Sequence, residues 1–253
     1  MEKFNAKKET KKIIEFIRDY YKTNKLGGAV LGISGGKDSA VAVALMVEAL
    51  GKENVVGLTL SCHSKEEDRI GAKVISDFYD FELLDFDLTQ IFNDFKGNIN
   101  KIYKNLDEEK TKNSDINLKP RLRMSSVYYF AALLTEVKGK PYLVVGTSNK
   151  CELFVGYFTK GGDSVHDIAP IADLTVEEVL AVGEELNVPK DILYKVPSDG
   201  LSNQTDEEKL GVTYKDIALY MDNPKNVDRE IRAKIERHYK NNRHKFKIPT
   251  YEK

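Results

Sequence analysis

The stretch LGISGGKDSA, residues 31–40, joins an apolar run to a second apolar pattern through two glycines and four polar residues. The run that contains its start, GAVLGIS at 28–34, predicts a buried β-strand. The pattern from 38 to 50 predicts a helix that ends before Gly51. The stretch is therefore a direct turn from a strand into a helix, which is a building unit of α/β folds.

This turn carries the groups that bind phosphate. Glycine amides can approach an anion closely because no Cβ stands in the way. Serine hydroxyls can donate to phosphate oxygens, the lysine supplies positive charge, and the aspartate offers a carboxylate to magnesium. The residues predicted to contact a nucleotide at this turn are Gly32, Ile33, Ser34, Gly35, Gly36, Lys37, Asp38 and Ser39.

Two common nucleotide-binding motifs do not match this turn. A Walker A loop needs Gly-x4-Gly-Lys-[Ser/Thr], but Leu31 stands at the first glycine position and Asp38 follows the lysine. The Gly-x-Gly-x-x-Gly dinucleotide fingerprint is also missing here. The simplest alternative is a tight turn that Asp38 and Ser39 cap without any ligand.

Strand and helix patterns alternate beyond the turn. Strands separated by helices form a parallel, twisted sheet with helices on both faces. Such a sheet binds ligands at the carboxyl ends of its strands. Further strands are predicted at 55–61, 81–88 and 141–148, and helices at 10–21, 65–79 and 120–138.

The sequence predicts a single domain over residues 1–253. Its polar segment 96–119 is interpreted as a mobile connection around a short helix. Beyond Gly156 a glycine-rich segment leads into helical patterns at 175–186 and 213–241. We expect these to form a helical C-terminal extension of the same domain.

Composition limits the partners. Hydrophobic residues make up 41% of the chain and the formal net charge is −1, so there is no global field to attract nucleic acid or an anionic membrane. No stretch approaches the roughly 20 apolar residues of a membrane span. The two cysteines, Cys62 and Cys151, lie far apart without a metal-binding spacing, which favours a reducing cytoplasm.

The segment SGGKDS after a strand resembles the PP-loop of the ATP pyrophosphatases, which cleave ATP between its α and β phosphates. Four more segments, in the same order along the chain, resemble the ammonia-dependent NAD synthetase family. They are NLKPRLRM (117–124), GTSNKCELFVGYFTKGGD (146–163), SNQTDEEKLGVTY (202–214) and RHKFKIP (243–249).

The resemblance implies an adenine nucleotide alpha hydrolase-like fold and a ligase reaction. ATP would adenylate the nicotinate carboxylate of deamido-NAD with release of pyrophosphate, and ammonia would displace AMP to give NAD. Glutamine-using relatives carry an added glutaminase domain, for which we expect no room in this sequence, so free ammonia is the expected nitrogen donor. The resemblance also implies Mg²⁺ as cofactor and a homodimer.

Matching positions suggest further site residues. By resemblance Thr147 and Ser198 would contact ATP, and Asp38 with Glu152 would hold Mg²⁺. Arg121 and Arg123 lie two residues apart on a helix, so we expect only one to face the crevice, and the resemblance favours Arg121. The residues that would contact deamido-NAD are Arg121, Lys160, Asp167, His244 and Lys245.

The sequence departs from the family pattern at two places. It reads Ser-Asn-Lys-Cys-Glu at 148–152, where the family commonly has Asp-His-Ala-Ala-Glu. Val176 stands where a lysine that touches ATP is expected, and Lys37 or Lys150 would have to replace its charge.

Two other classes of function share the opening stretch. Another PP-loop enzyme, such as a GMP synthetase or a tRNA-modifying enzyme, would use the same turn, although the tRNA enzymes need a basic appendage or catalytic cysteines that this sequence lacks. A non-catalytic adenine-nucleotide binding module would bind ATP and release it intact.

Overall fold

Four parallel strands form the sheet of this protein, in the order β3-β2-β1-β4. The structure is a computed structural model and describes residues 4–104, 106–195 and 205–251. Val30 in the central strand aligns with Val56 on one side and Val144 on the other. The predicted parallel sheet is confirmed, with each strand shorter than its apolar run. The strands are β1 (Gly28–Gly32), β2 (Val55–Thr59), β3 (Glu82–Asp85) and β4 (Tyr142–Val144).

Helices follow the strands and build the remainder of the described fold. In chain order they are α1 (Ala6–Thr23), α2 (Lys37–Leu50), α3 (Glu66–Tyr79), α4 (Thr89–Ile102), α5 (Glu108–Lys138), α6 (Lys150–Val155), α7 (Val176–Glu185), α8 (Lys190–Leu193), α9 (Asp206–Leu210), α10 (Tyr214–Asp222) and α11 (Arg229–Asn242). None of the helices in the described ranges combines the length and apolar composition that a bilayer span requires.

The sheet separates two hydrophobic clusters. Alternate side chains of β1 enter them, with Leu31 in the cluster beneath α1, α2 and α7 and Val30 in the cluster beneath α4 and α5. Both side chains are fully buried, as expected for a strand covered on two faces. This burial fixes the register of β1 and therefore the place where the chain leaves the sheet after Gly32.

Helix α2 is buried on nearly all sides. Its residues from Ala40 to Met46 are 0% exposed, because α1, α3, α7 and α8 all pack around it. A helix that is apolar all round is stable only in such surroundings. Its first turn, which follows the glycine turn of residues 34–36, is therefore held rigidly at the edge of the sheet.

The predicted mobile connection at 96–119 is wrong. Helix α4 reaches Ile102, and α5 begins at Glu108 and passes through Pro120 without ending. Proline is favoured in a first helical turn, which is why the sequence suggested a start at Pro120. Long-range contacts override this preference, since Asp115 pairs with Lys96 of α4 at 2.7 Å and Asn117 Oδ1 accepts a hydrogen bond from Thr159 at 2.8 Å.

The C-terminal extension packs on a third hydrophobic cluster formed by α6, α10 and α11. The single helical tail predicted at 213–241 is two helices, because a 3₁₀ turn at Pro224–Asn226 separates α10 from α11. Ile235 of α11 and Ile217 of α10 are both fully buried there. The extension thus fixes the position of α6, which carries Glu152.

Candidate active site

The turn between β1 and α2 requires glycine at position 35. Gly35 has a φ of +73°, and a Cβ there would lie 2.5 Å from the carbonyl oxygen of Asp68. The serines of the turn close it internally: Ser39 Oγ donates to the carbonyl of Gly36 at 3.0 Å and lies 3.1 Å from Ser34 Oγ. The turn is therefore a preformed structure whose shape does not depend on a ligand.

The first turn of α2 presents unsatisfied amides. Gly36 is its N-cap in an extended conformation, and no side chain in the described part of the chain caps it. The first amides of a helix have no intrahelical acceptor, and the helix dipole adds positive potential at the same end. The end of a 14-residue helix with this geometry can bind a phosphate group.

A cavity of about 410 Å³ opens at this helix end. It lies at the carboxyl ends of β1, β2 and β4, where a parallel sheet is expected to bind its ligand. Its wall includes the turn residues Gly32, Ile33, Ser34, Gly36, Lys37, Asp38 and Ser39, together with Thr147, Glu152, Arg123, Lys195 and Asp206.

Charged side chains on this wall interact strongly. Lys37 is only 7% exposed, and its Nζ lies 2.9 Å from Asp38 Oδ2. Burial lowers the pKa of Lys37, but the carboxylates of Asp38, Glu152 and Asp206 outweigh it and raise the pKa overall. Burial raises the pKa of Glu152 well above its usual value, and the neighbouring Asp38 raises it further. Two carboxylates and one ammonium group therefore share a poorly solvated wall.

This wall fits a magnesium ion bound together with phosphate. Asp38 and Glu152 both line the cavity, and the charge of Asp38 disfavours a negative charge on Glu152. Within the described ranges, no group of three or more His, Cys, Asp or Glu side chains is arranged to hold a metal without help. Mg²⁺ commonly takes one or two carboxylates and completes its shell with water and substrate phosphates, so two carboxylates beside a phosphate site suit it.

Two cationic side chains on the wall were not singled out as ligands from sequence. Arg123 donates from Nε to the carbonyl of Leu60 at 3.0 Å and from Nη2 to Ser64 Oγ at 3.3 Å. Lys195 reaches the cavity and pairs with Asp68 at 3.1 Å. Both sit at the ends of long-range contacts that no local pattern reveals.

The other predicted ATP contacts have different locations. Thr147 lines the cavity beyond β4, whereas Ser198 lies outside the described residues. Val176 begins α7 and packs on the C-terminal cluster. Of the two lysines expected to replace its missing charge, Lys37 lines the cavity, and Lys150 pairs with Asp173 at 2.9 Å and is not part of the wall.

The residues predicted to bind the second substrate do not line this cavity, and most of them meet at the loop after α6. Lys160 Nζ donates to the carbonyl of His244 at 3.0 Å, and Arg121 Nε donates to the carbonyl of Lys160 at 3.3 Å. Lys245 Nζ donates to the carbonyls of Gly156 and Phe158, both at 2.7 Å. The fold thus brings Arg121, Lys160, His244 and Lys245 into one cluster, which we call the tail cluster.

Asp167 contacts a different partner. Its Oδ2 accepts a hydrogen bond from the backbone amide of Val144 at 2.8 Å, and its Oδ1 accepts one from the Tyr128 hydroxyl at 3.0 Å. The carboxylate therefore ties the segment beside β4 to both β4 and α5. Its predicted contact with deamido-NAD stays a prediction, as do those of the tail cluster.

This chain is similar to proteins of a known family. The family model described as NAD synthase matches residues 9–249. The chain belongs to the NAD synthase family. The match includes the turn at 34–39, the cavity wall and the tail cluster, so all three regions lie within the part of the chain that the family model covers.

Individual members of the NAD synthase family align over nearly the whole chain. The NH(3)-dependent NAD(+) synthetase of Carboxydothermus hydrogenoformans is 35% identical over 97% of both chains. The structure of NMN synthetase from Francisella tularensis superposes with a TM-score of 0.87 and 31% identity, covering 98% of this chain and 99% of that one. The NH3-dependent NAD synthetase from Campylobacter jejuni gives a TM-score of 0.78 and 28% identity, covering 99% of this chain and all of that one.

Proposed function

We propose that this protein is an ammonia-dependent NAD synthetase. It joins ammonia to the nicotinate carboxylate of deamido-NAD at the expense of ATP, and it releases AMP and pyrophosphate. The observation that carries the proposal is the first turn of α2, which no described side chain caps and which opens into a cavity beside Lys37, Asp38 and Glu152. This arrangement binds a polyphosphate and leaves space for attack on it.

The chemistry needs activation of the carboxylate, because oxide is a very poor leaving group. Attack of a carboxylate oxygen on the α phosphorus of ATP forms an acyl adenylate and expels pyrophosphate. Ammonia then attacks the acyl carbon, and AMP leaves with the electron pair of the broken C–O bond. Each leaving group is thus a stabilised phosphate anion.

The residues of the turn act by position and charge. The α2 amides and Lys37 stabilise negative charge that develops on the phosphates. Mg²⁺ bound by Asp38 and Glu152 would neutralise the pyrophosphate. Thr147 and Ser198 contact ATP in this proposal, and no side-chain nucleophile is required.

The tail cluster and Asp167 serve the second substrate in this proposal. Their cationic groups suit the pyrophosphate of deamido-NAD, and their hydrogen bonds within the chain hold them next to α5. We also propose a cytoplasmic homodimer in which the dinucleotide site is completed at the subunit interface, with the whole chain acting as one domain. Analytical ultracentrifugation with and without deamido-NAD tests the dimer.

A second candidate substrate follows from the similarity to NMN synthetase. This similarity has a TM-score of 0.87, above the 0.78 for the Campylobacter jejuni NAD synthetase. The same amidation applied to nicotinate mononucleotide gives NMN, and the ATP half of the site would be unchanged. The two substrates differ by an adenylate group, so the choice depends on the region outside the ATP cavity.

The decisive experiment measures AMP and pyrophosphate with ATP, Mg²⁺ and ammonium. The acceptors are deamido-NAD, nicotinate mononucleotide, xanthosine monophosphate or none, and glutamine replaces ammonium in a parallel series. We expect AMP formation with deamido-NAD and ammonium. Formation of ADP and orthophosphate would refute the proposal, preference for nicotinate mononucleotide would select the second candidate, and intact ATP in every reaction would indicate a binding module.

A further inference from the structure

Asn149 occupies a buried position between two carboxylates of the candidate site. It is 0% exposed and is the N-cap of α6. Its Oδ1 accepts hydrogen bonds from the backbone amides of Cys151 at 3.0 Å and Glu152 at 3.1 Å. In return, the backbone amide of Asn149 donates to Glu152 Oε2 at 3.1 Å. This reciprocal arrangement fixes the side chain of Glu152 relative to β4.

The nitrogen of the Asn149 side-chain amide contacts a distant element. Asn149 Nδ2 donates to Asp38 Oδ1 at 3.2 Å, across 111 residues of sequence. Asp38 Oδ2 accepts from Lys37 at 2.9 Å, so both oxygens of this carboxylate have a fixed partner. One buried side chain therefore connects the start of α6 to the start of α2.

Capping α6 does not by itself require asparagine. Serine, threonine or aspartate would accept the same backbone hydrogen bonds. Only an amide can accept on one side and donate to Asp38 on the other without adding charge. Aspartate at this position would place a third carboxylate beside Asp38 and Glu152, and serine would be too short to reach Asp38.

We propose that Asn149 is a positioning residue that holds the Asp38 and Glu152 carboxylates on one wall of the cavity. The inference deepens the proposed function, because those carboxylates are the groups expected to meet magnesium and ATP. Residues that orient metal ligands in this way typically change metal affinity or activity about 10–100-fold when replaced.

The test compares Asn149→Ser with Asn149→Asp. Both variants keep the cap of α6 and lose the donor to Asp38. The matched control is Asn5→Ser, since Asn5 also caps a helix through its side-chain oxygen, at the exposed start of α1 and far from the cavity in sequence. For each protein, calorimetry gives the dissociation constant of ATP with and without Mg²⁺, and thermal unfolding reports the fold.

We expect Mg²⁺ to tighten ATP binding in the wild type and in Asn5→Ser. In both Asn149 variants this tightening falls about 10–100-fold, and ATP binding without Mg²⁺ changes much less. The loss of kcat is greater for Asn149→Asp than for Asn149→Ser because of the added charge. A folded Asn149→Ser that retains the wild-type effect of Mg²⁺ on ATP binding would overturn the proposal.

A double substitution keeps the test valid if Asn149→Asp folds poorly. In Asn149→Asp with Asp38→Asn, the donor and acceptor are exchanged and the same contact can form in reverse. We expect the unfolding temperature to recover in the double variant but not the effect of Mg²⁺, and no recovery would contradict the contact. The binding measurement needs no second substrate, so it remains informative even if amidation of deamido-NAD fails.

Discussion

Two regions differ in what their side chains already contact. One is the tail cluster, and the other is the cavity wall of residues 34–39 and Glu152, which is proposed to bind ATP and is called the ATP wall. At the ATP wall, the first turn of α2 has no side-chain cap among the described residues and opens on the cavity. In the tail cluster, Lys160 and Lys245 donate to carbonyls of the chain itself. The amides at the start of α2 are therefore available to a ligand, whereas the lysines of the tail cluster already donate within the chain.

This difference teaches that the two substrates face different binding steps. The amides at the start of α2 can donate to a phosphate without a rearrangement, whereas Lys37 already pairs with Asp38 at 2.9 Å. A ligand for the tail cluster must either displace the contacts to Gly156, Phe158 and His244 or bind through the remaining N–H groups. We therefore expect substitutions at the two regions to affect different constants.

The largest effect is expected at the ATP wall. Asp38→Asn removes the charge that pairs with buried Lys37, and we expect kcat to fall about 10²–10³-fold. AMP release at saturating substrates measures it. Asp173→Asn is the control, since Asp173 pairs with Lys150 on the surface with its side chain 95% exposed. A variant with more than a tenth of wild-type kcat would show that this wall is not the reacting centre.

The tail cluster is expected to respond in stability and in the second substrate. Lys245→Met keeps the aliphatic stem and removes both hydrogen bonds to the loop after α6, which we expect to lower the free energy of unfolding by about 1.5–3 kcal/mol. Urea denaturation measures this change. The KM for deamido-NAD should rise more than that for ATP. Lys247→Met, at an exposed position two residues later, is the control; equal loss in both variants would contradict the internal role of Lys245.

The two arginines of α5 separate the regions most directly. Arg123→Met should raise the KM for ATP about tenfold, because Arg123 lines the cavity and anchors the end of β2. Arg121→Met should leave the KM for ATP within about twofold and act on the second substrate, since Arg121 contacts the loop at Lys160. Initial rates with each substrate varied in turn provide both constants. A larger effect of Arg121→Met than of Arg123→Met on the KM for ATP would contradict ATP binding in the cavity that Arg123 lines.

The sequence predicted the local structure of the turn at 34–36 more directly than the contacts of the tail cluster, for a physical reason. The turn at 34–36 depends on local requirements, such as the positive φ of Gly35, and the strand beside it reads directly from its apolar residues. The tail cluster depends on contacts between residues 84 to 89 positions apart, which no local pattern encodes. Likewise, the residue of α5 that faces the cavity follows from where α5 packs.

The length of α5 shows the same limit from another side. Pro120 favours a helix start, and the residues before it are polar, so local preference points to a connection. The contacts of Asp115 and Asn117 with other elements stabilise the helix through the proline instead. Local propensity predicted the strands correctly because the burial of their side chains favours the same structure. It did not predict the start of α5 because contacts with distant residues favour a longer helix.

The smallest expected effect is a gain in stability rather than a loss, and it tests the electrostatics of the ATP wall. Burial and the nearby Asp38 raise the pKa of Glu152 in the folded protein. The folded state then binds a proton that the unfolded chain releases, so stability is lost as pH rises above the ordinary value of 4.5. Glu152→Gln keeps an acceptor for the Asn149 amide and removes this loss.

We therefore expect Glu152→Gln, without Mg²⁺ and ATP, to be more stable than the wild type at pH 7 by about 1 kcal/mol. The difference should shrink as the pH falls toward 4.5. Urea denaturation in EDTA at several pH values measures it. Glu178→Gln, which makes the same change in the reciprocal cap of α7, is the control. A Glu152→Gln protein that is less stable than the wild type at pH 7 would mean that the fold stabilises the charged carboxylate. The ATP wall would then not need a bound cation to offset its negative charge.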